Sequence, residues 1–359
     1  MAAGGTAGHV VPAMAVAAEL RASGAEVSFL GTAAKIEAEM VPAAGYEIDF
    51  VKVRGIDRRN PLRAARAGFE AVGAVAAARK ALRRRGADVV LGGGGYVAGP
   101  AGLAAALSRT PLVLTEADSH LGLANRLLAG RARRVCLAFP IAGREGERYL
   151  VTGRPVPREI FAADRARARQ RFGIAPAARC LFVVGGSQGA RSVNFAALEA
   201  FAERDGREFQ VLHLSGRRDH GELRQRLDAA PHAEGYELID YDPAGLGAYL
   251  AAADLVLGRS GGSIFEVTAA GRPAILVPYP YATADHQSAN AAWMERAGAA
   301  TVIDDAELGG EAGAERLRAE VAAILGDGGR LEAMAAASRG LARPDAARRI
   351  ADQVLEAAR

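Results

Sequence analysis

The chain has 359 residues, of which 50% are hydrophobic, and a formal net charge of +4 at pH 7. This length exceeds what one ordinary core supports and predicts about two domains of 150–200 residues. Charged residues interrupt every long apolar stretch, which excludes a membrane-spanning segment of about 20 apolar residues. The small charge imbalance, with no aromatic residues interleaved among basic ones, disfavours nucleic-acid binding. Neither a basic nor a long apolar segment begins the chain, so we expect no secretory signal and a cytoplasmic protein.

Short β-rich segments alternate with longer segments rich in Ala, Leu and Arg. This alternation predicts an α/β protein with doubly wound parallel sheets. Residues 151–157 combine glycine and proline, which favours a domain boundary there. The predicted domains are 1–153, with a final helix 343–359 that crosses back, and 154–342. Strands are predicted at 26–30, 48–53, 89–91, 112–114 and 135–138, and then at 181–184, 210–214, 237–239, 255–257, 274–277 and 300–303.

Ligands of such sheets bind beyond the carboxyl ends of the strands, so two facing domains are expected to form a binding cleft. A strand should precede the first glycine turn, yet only Met1, Ala2 and Ala3 are available for it. The first strand is therefore expected to be truncated.

The first glycine turn runs from Gly4 to His9 and leads into a helix-forming stretch. Glycines let the backbone approach a ligand closely, and a helix N-terminus offers unpaired N–H groups. A phosphate or a reacting hydroxyl could bind there, although a plain strand-to-helix turn explains the same residues. His9 adds a group that titrates near neutral pH.

A second glycine turn, Gly185 to Arg191, follows the strand at 181–184. Its N–H groups, the Ser187 hydroxyl and the helix dipole can hold a pyrophosphate without a metal ion. No dinucleotide fingerprint or P-loop pattern occurs, which disfavours dinucleotide oxidoreductases and P-loop enzymes. A tight turn without ligand is the alternative.

Two later segments carry polar groups suited to a nucleotide sugar. Glu266 follows the glycines at 261–262 and could accept both hydroxyls of a ribose, or else compensate the charge of a helix N-terminus. Residues 279–290 are dense in donors and acceptors and suit a sugar, or else cap a helix.

Acid–base candidates follow two strands of the first domain. Glycines occupy 92–95, and Glu116, Asp118 and His120 follow the strand at 112–114. His9 is the favoured general base because its ordinary pKa lies near neutrality, although a hydrogen-bonding surface histidine is the alternative.

Metal binding is not expected. Cys136 and Cys180 lack CxxC spacing and lie in apolar runs, which predicts buried free thiols. Asp240-Tyr241-Asp242 has the D-x-D spacing of some metal-dependent glycosyltransferases, but the following Pro243 and Gly245 favour a turn.

Together, the stretches GGTAGHVVPAMAVA, LGTAAKIEAEMVPAAGYEIDF, DVVLGGGGYVAGPAGLAA, GGSQGARSVN, EVTAAGRPAILVP and HQSANA resemble glycosyltransferase family 28, and within it the MurG type of peptidoglycan N-acetylglucosaminyltransferase. The resemblance covers essentially the whole chain. It implies a GT-B fold whose second domain holds UDP-N-acetylglucosamine and whose first domain holds a lipid acceptor.

The resemblance also implies roles for individual residues. The catalytic set is His9, as base for the 4-hydroxyl of the acceptor, with Asp118 and Glu116. The acceptor side is formed by Gly5, Gly95, Tyr96 and Asn125. The donor side is formed by Thr6, Ala7, Gly8, Arg158, Ser187, Gln188, Gly262, Ser263, Ile264, Phe265, Glu266, Gln287 and Asn290. Direct displacement with inversion is implied, with no cofactor and no essential metal.

Three positions depart from the family pattern. Asp118 stands where the family has asparagine, Pro157 precedes Arg158 where the arginine usually follows Pro-Val directly, and the loop from Arg259 to Glu266 is one residue short. These departures concern donor contacts and acceptor-side chemistry rather than the class of enzyme.

The implied partners are UDP-N-acetylglucosamine, the lipid I acceptor, an anionic membrane surface and other proteins of cell-wall synthesis. Residues 62–85 combine Leu62, Phe69, Val72, Val75 and Leu82 with Arg63, Arg66, Arg79, Lys80 and Arg83 to Arg85. They predict a peripheral helix on the inner face of the cell membrane, or alternatively an ordinary helix packed on the sheet.

The sequence thus predicts an inverting transferase that converts lipid I to lipid II in peptidoglycan synthesis, and hence a role in cell-wall biogenesis, cell shape and division. The alternatives are a related GT-B transferase with another acceptor or nucleotide sugar, and a non-catalytic nucleotide-sugar binder.

Overall fold

The structure is a computed structural model that describes residues 1–53, 61–186, 189–282 and 285–359, with the side chains of 61–69 and 71 left out. Its contacts divide the chain into two compact units. The first comprises Met1–Pro157 with Arg343–Arg359, and the second comprises Arg158–Ala342. Each unit consists of parallel β-structure with helices packed against it.

The first unit contains two parallel sheets that the start of the chain joins. Ala2 pairs in parallel with both Leu30 and Gly92, so it lies between the two sheets. The strands are β1 (Ser28–Gly31), β2 (Glu47–Phe50), β3 (Val90–Gly92), β4 (Leu112–Glu116), β5 (Arg134–Leu137) and β6 (Tyr149–Val151). β1 pairs with β2, and the other sheet has the order β3-β4-β5-β6. Before the first glycine turn, the described pairing is thus that of a single residue, Ala2.

The helices of the first unit are α1 (Ala7–Ala22), α2 (Glu37–Ala43), α3 (Pro61–Arg85), α4 (Gly95–Ser108), α5 (Leu123–Leu128) and, at the end of the chain, α15 (Ala346–Ala358). The apolar face of α15 buries Ile350 and Val354 with Val16 and Leu20 of α1. The last helix therefore packs within the first unit.

The second unit has a six-stranded parallel sheet in the order β12-β11-β10-β7-β8-β9. Its strands are β7 (Arg179–Val184), β8 (Phe209–Leu214), β9 (Tyr236–Ile239), β10 (Leu255–Gly258), β11 (Ala274–Leu276) and β12 (Ala300–Val302). Its helices are α6 (Arg158–Ala162), α7 (Arg165–Arg171), α8 (Arg191–Phe201), α9 (His220–Asp228), α10 (Gly247–Ala252), α11 (Ile264–Ala269), α12 (His286–Arg296), α13 (Gly310–Leu325) and α14 (Gly328–Leu341).

The sequence pattern predicted every named strand of the two units except β6 of the first unit. β6 is a short run of three apolar residues, none of them buried, and it directly adjoins the Gly/Pro-rich segment that was interpreted as a domain boundary. Its pairing with β5 is what gives these residues an extended conformation.

The two cysteines are free and buried, as predicted. Burial raises the pKa of each thiol to about 12, which keeps both protonated. Among the residues described, no helix is both long and apolar enough to cross a membrane.

Candidate active site

The strand order of each unit reverses at one point, and the glycine turns lie there. In the first unit the reversal falls between Ala2 and β3, and in the second between β7 and β10. At such a reversal, the connections that follow the two neighbouring strands run in opposite directions. This opens a crevice at the carboxyl ends of those strands. The topology therefore gives each unit one candidate site, and the turns after these strands form it.

In the first unit, two glycine turns contact each other closely. Gly93 donates its N–H to the Ala2 carbonyl at 2.8 Å. Gly94 and Gly95 have φ of +98° and +75°, and a Cβ on Gly95 would overlap the Gly4 carbonyl. A side chain fits at neither position, so the turns approach at backbone distance.

His9 lies in the first turn of α1. Its Nδ1 is 3.2 Å from the Thr6 hydroxyl oxygen. Burial and the positive charge of Arg154 lower the pKa of His9, while the charges of Asp118 and Glu37 act in the opposite direction. The net lowering keeps His9 neutral at pH 7, the state in which an imidazole can accept a proton.

Two side chains beside His9 were missed by the sequence analysis. The Arg154 guanidinium donates to the Gly8 carbonyl and, with Gly8, Thr115 and Glu116, lines a cavity below the turn. Arg154 belongs to the Gly/Pro segment that was interpreted as a domain boundary. Glu37 is fully buried and accepts a hydrogen bond from the Gly5 N–H at 3.0 Å. An acidic residue that begins a helix is the only sequence signal for it.

Glu116 is buried, and its carboxylate accepts hydrogen bonds from within its own loop. The donors are the N–H groups of Ala117 at 3.0 Å, Asp118 at 3.2 Å and Gly122 at 2.8 Å, and the Asn125 amide at 2.9 Å. Burial raises the pKa of Glu116 despite these donors. With both oxygens occupied, the geometry favours a role in holding the loop, and its predicted catalytic role stays a prediction.

Asn125 and Tyr96 occupy contrasting positions on the predicted acceptor side. Asn125 donates to the Thr115 carbonyl at 2.8 Å as well as to Glu116, and its buried Oδ1 has no hydrogen-bond partner within the described part of the chain. Tyr96 is 56% exposed and its ring lies next to Gly5. Tyr96 is thus the accessible one of the two.

In the second unit, β7 leads into the turn predicted to hold a diphosphate. Gly186 and Gly189 have φ of +86° and +75°, and the Gly189 N–H donates to the Gly186 carbonyl at 2.9 Å. A Cβ on Gly189 would lie 2.5 Å from the Ser215 carbonyl oxygen. The predicted Ser187 and Gln188 lie outside the described residues.

A buried hydrogen-bond chain supports this turn from below. The Tyr236 hydroxyl lies 2.7 Å from Nδ1 of His213, and Nε2 of His213 lies 3.1 Å from Oδ1 of Asn194. The Asn194 amide donates to the Ser215 carbonyl at 2.9 Å. Since the amide group of Asn194 is the donor there, Oδ1 accepts from His213, and Nδ1 accepts from Tyr236. Burial lowers the pKa of His213 to about 3, so the ring is neutral.

The turn after β10 is fixed to α12 by residues predicted to hold the donor sugar. The buried Asn290 amide donates to the Ser260 carbonyl at 2.9 Å, and the Ser260 hydroxyl donates to the Gln287 carbonyl at 2.7 Å. The Gln287 side-chain oxygen accepts from the Tyr279 N–H at 2.9 Å. The structure thus brings Gln287 and Asn290 together at the edge where β10 ends.

The remaining predicted donor residues lie on short elements. Gly262 and Ser263 precede α11, Ile264 and Phe265 begin it with buried side chains, and Glu266 is half-buried in its first turn. Arg158 is exposed and begins α6. The buried Ile264 and Phe265 contribute apolar packing. Among these donor residues, Glu266 is the one with a carboxylate, the group predicted to accept the ribose hydroxyls.

Asp242 of the D-x-D segment is engaged within the protein. Its carboxylate accepts from Arg171 at 2.6 Å, the Tyr249 hydroxyl at 2.8 Å and the Ala244 N–H at 2.8 Å. These contacts are those of a turn fixed to its neighbours. Across the described ranges, no group of three His, Cys, Asp or Glu side chains is arranged to hold a metal ion.

The predicted membrane helix α3 is packed on its sheet over part of its length. Val75 and Leu82 lie against the core of the first unit. Arg84 and Arg85 form ion pairs with Asp49 of β2. Val75 and Leu82 are thus partly buried against the sheet, and Arg85 is 26% exposed, whereas Arg84 stays 59% exposed beside its ion pair. Val72 is 70% exposed, whereas Leu62, Arg63, Arg66 and Phe69 lie outside the described side chains.

Comparison with known families matches both halves of the chain. Residues 1–137 match the glycosyltransferase family 28 N-terminal domain, and residues 180–350 match the glycosyltransferase family 28 C-terminal domain. The chain belongs to glycosyltransferase family 28. The family predicted from the sequence motifs, and with it the glycosyltransferase class, is confirmed.

Similar proteins share nearly the full length of this family 28 chain. A UDP-N-acetylglucosamine--N-acetylmuramyl-(pentapeptide) pyrophosphoryl-undecaprenol N-acetylglucosamine transferase of Moorella thermoacetica is 42% identical over 98% of this chain and 97% of its own. The protein of the same name from Halorhodospira halophila is 42% identical over 98% and 96%. The crystal structure of Acinetobacter baumannii MurG is 29% identical, with a TM-score of 0.76 over 99% of this chain and 98% of that one.

A more distant likeness supports the fold alone. The calicheamicin glycosyltransferase CalG4 is 20% identical, with a TM-score of 0.69 over 99% of this chain and 97% of that chain. With the A. baumannii structure, this likeness confirms the predicted GT-B fold class.

Proposed function

We propose that the protein transfers N-acetylglucosamine from UDP-N-acetylglucosamine to the 4-hydroxyl of lipid I, forming lipid II. The observation that carries this proposal is the 42% identity, over nearly the whole of both chains, to relatives named for that reaction. Both family 28 domains are matched, so the similarity extends over donor and acceptor halves alike.

We assign the donor to the second unit. The turn at 185–190 precedes α8, whose N-terminal N–H groups and dipole suit a diphosphate. Glu266 is assigned to the ribose hydroxyls, and Gln287 and Asn290 to the sugar. Asp242 is already occupied by Arg171 and Tyr249, which supports a reaction without an essential metal ion.

We assign the acceptor to the first unit, with His9 as general base. The neutral imidazole would take the proton of the attacking hydroxyl as its oxygen displaces UDP from the anomeric carbon, which inverts the configuration there. The neighbouring carboxylate of Asp118 would stabilise the imidazolium that forms. Gly5, Gly95 and Tyr96 lie beside this base and would contact the acceptor.

The acceptor is a lipid, and we propose that the protein binds the inner face of the cell membrane peripherally. Two neighbouring helices of the first unit each expose a pair of leucines one turn apart: Leu103 and Leu107 on α4, and Leu123 and Leu127 on α5. Leu107 is 56% and Leu127 65% exposed. Exposed apolar side chains of this kind favour an interfacial position, with α3 contributing Val72.

A donor panel tests the assignment of substrate. The shift in melting temperature should be larger for UDP-N-acetylglucosamine than for UDP-glucose or for sugars on other nucleotides, and should persist in EDTA. Release of UDP should require lipid I or a soluble analogue of it. Tight binding without acceptor-dependent release of UDP, with unchanged behaviour on His9→Ala, would instead favour a non-catalytic binder.

A further inference from the structure

We propose that Glu37 is a positioning residue for the acceptor base: its buried carboxylate holds the first glycine turn and contributes its charge to the surroundings of His9. The proposal rests on the proposed function in that His9 is taken as the base. Glu37 begins α2, a helix to which the sequence analysis gave no role.

The Glu37 carboxylate accepts hydrogen bonds from two turns, one that follows the paired Ala2 and one that follows the neighbouring strand β1. Oε2 accepts the Gly5 N–H at 3.0 Å, three residues after the paired Ala2. Oε1 accepts the Thr32 N–H at 3.0 Å and the Thr32 hydroxyl at 2.7 Å, directly after β1. A single carboxylate thereby holds both turns at one edge of the sheet. Gly5, which it holds, is four residues before His9 along the chain.

Two glycines make room for this side chain. A Cβ on Gly4 would lie 2.5 Å from Oε1 of Glu37, and a Cβ on Gly31 would lie 2.8 Å from its Cγ. Both distances are shorter than heavy atoms tolerate. The absence of a side chain at Gly4 and Gly31 therefore lets the carboxylate reach the Gly5 N–H. Space for Glu37 is thus a second reason for glycine in this turn, besides the approach of a ligand.

The carboxylate is held in its charged form. Burial alone would raise the pKa of Glu37, but the hydrogen bonds from Thr32, Gly5 and its own N–H outweigh burial and lower it. The charged groups that face His9 are then Arg154, Asp118 and Glu37. Because an opposite charge nearby favours the imidazolium, loss of the Glu37 charge should lower the pKa of His9 further.

The test is Glu37→Gln, which preserves shape but removes charge and directs an amide N–H₂ at one of the N–H donors. Since misplacing a catalytic group by about 1 Å can cost roughly 100-fold in rate, we expect kcat to fall at least about tenfold while KM for the donor stays within about twofold. The acid limb of the kcat–pH profile should move to lower pH. Glu39→Gln, an exposed position on the same helix, is the matched control and should behave as the wild type.

A second variant and a second measurement keep the test decisive. Thr32→Val removes one donor but keeps the charge, so kcat should fall while the acid limb stays in place. Titration of the His9 imidazole by NMR in wild type and Glu37→Gln reports the charge effect even if no transfer is detected, so failure of the proposed function is distinguishable. A folded Glu37→Gln protein with wild-type kcat and an unshifted His9 titration would overturn the proposal.

Discussion

Gly94 leaves open the space that the His9 ring occupies. A Cβ added at Gly94 would overlap Cδ2 of that ring and lie 3.1 Å from Nε2, and the Gly94 φ of +98° is itself unfavourable for any other residue. The second glycine turn therefore fixes where the imidazole can lie, so the two turns of the first unit act as one structure.

Gly94→Ala should displace His9 and reduce kcat by about 100-fold, the cost of misplacing a catalytic group by about 1 Å. The melting temperature should also fall, because a residue other than glycine at this φ costs about 1–3 kcal/mol. Steady-state kinetics and thermal unfolding measure both effects. Gly221→Ala in α9 is the control, since its added Cβ meets open space. Wild-type kcat in folded Gly94→Ala would show that the ring position is not fixed in this way.

Asp118→Asn should move the acid limb of the kcat–pH profile to lower pH. His9 acts as a base only when neutral, and the Asp118 charge raises its pKa. Removing that charge therefore lets His9 stay neutral at more acidic pH. The profile should keep its shape, and kcat near pH 8 should fall, because the carboxylate that would stabilise the imidazolium formed during transfer is gone. A shift to higher pH would contradict this assignment.

His213 should make the folded state less stable as the pH falls. Its folded pKa is lowered to about 3 from an ordinary value of 6.5. Between these values only the unfolded chain takes up the proton, so stability is complete above pH 6.5 and is lost at up to about 1.4 kcal/mol per pH unit below it. Urea unfolding between pH 7 and 4 measures this slope.

His213→Gln should lose that part of the slope, since glutamine can accept from Tyr236 and donate to Asn194 without titrating. His232→Gln, whose side chain is 39% exposed, should retain it. Equal slopes for wild type and His213→Gln would show that the buried ring does not resist protonation.

Glu266→Ala should raise KM for UDP-N-acetylglucosamine by about 10- to 100-fold, because a hydrogen bond to a charged acceptor contributes about 1.5–3 kcal/mol. Its kcat should change less. Isothermal titration with UDP and initial-rate kinetics measure the two effects, and Glu295→Ala on the exposed side of α12 is the control. Unaltered UDP affinity in Glu266→Ala would rule out the ribose contact.

Replacing both Leu107 and Leu127 by Asp should weaken binding to anionic vesicles by at least about tenfold, since burying one leucine contributes about 1.5–3 kcal/mol. Transfer to a water-soluble acceptor analogue should be unaffected. Phe161→Asp, which changes an exposed side chain of the second unit, is the control in the same sedimentation assay. Wild-type vesicle binding by the double variant would exclude this surface.

The sequence predicted the elements whose pattern is local. Buried parallel strands such as residues 181–184 form continuous apolar runs, and the glycines after them mark tight turns. The positions of strands and turns therefore followed from the local sequence pattern. The fold class followed from the order of these elements. The single paired residue Ala2 was predicted as a truncated strand, because too few residues precede Gly4.

Contacts between distant segments could not be predicted in this way. Glu37 reaches Gly5 across 32 residues and Arg154 reaches Gly8 across 146, and neither position carries a local pattern. For α3 the alternation of apolar and basic residues fitted a membrane face and a packed face equally well. The ion pair between Arg85 and Asp49 of β2, and the partial burial of Val75 and Leu82, show which part of α3 is packed.

The central claim is most directly tested by following label from UDP-[¹⁴C]N-acetylglucosamine into a lipid I analogue. The account predicts one labelled disaccharide lipid for each UDP released, a newly formed β-linkage in that product, and loss of at least about 99% of the rate in His9→Ala, as expected for loss of general-base catalysis. Absence of labelled lipid with folded, donor-binding protein, or an equal rate in His9→Ala, would contradict it.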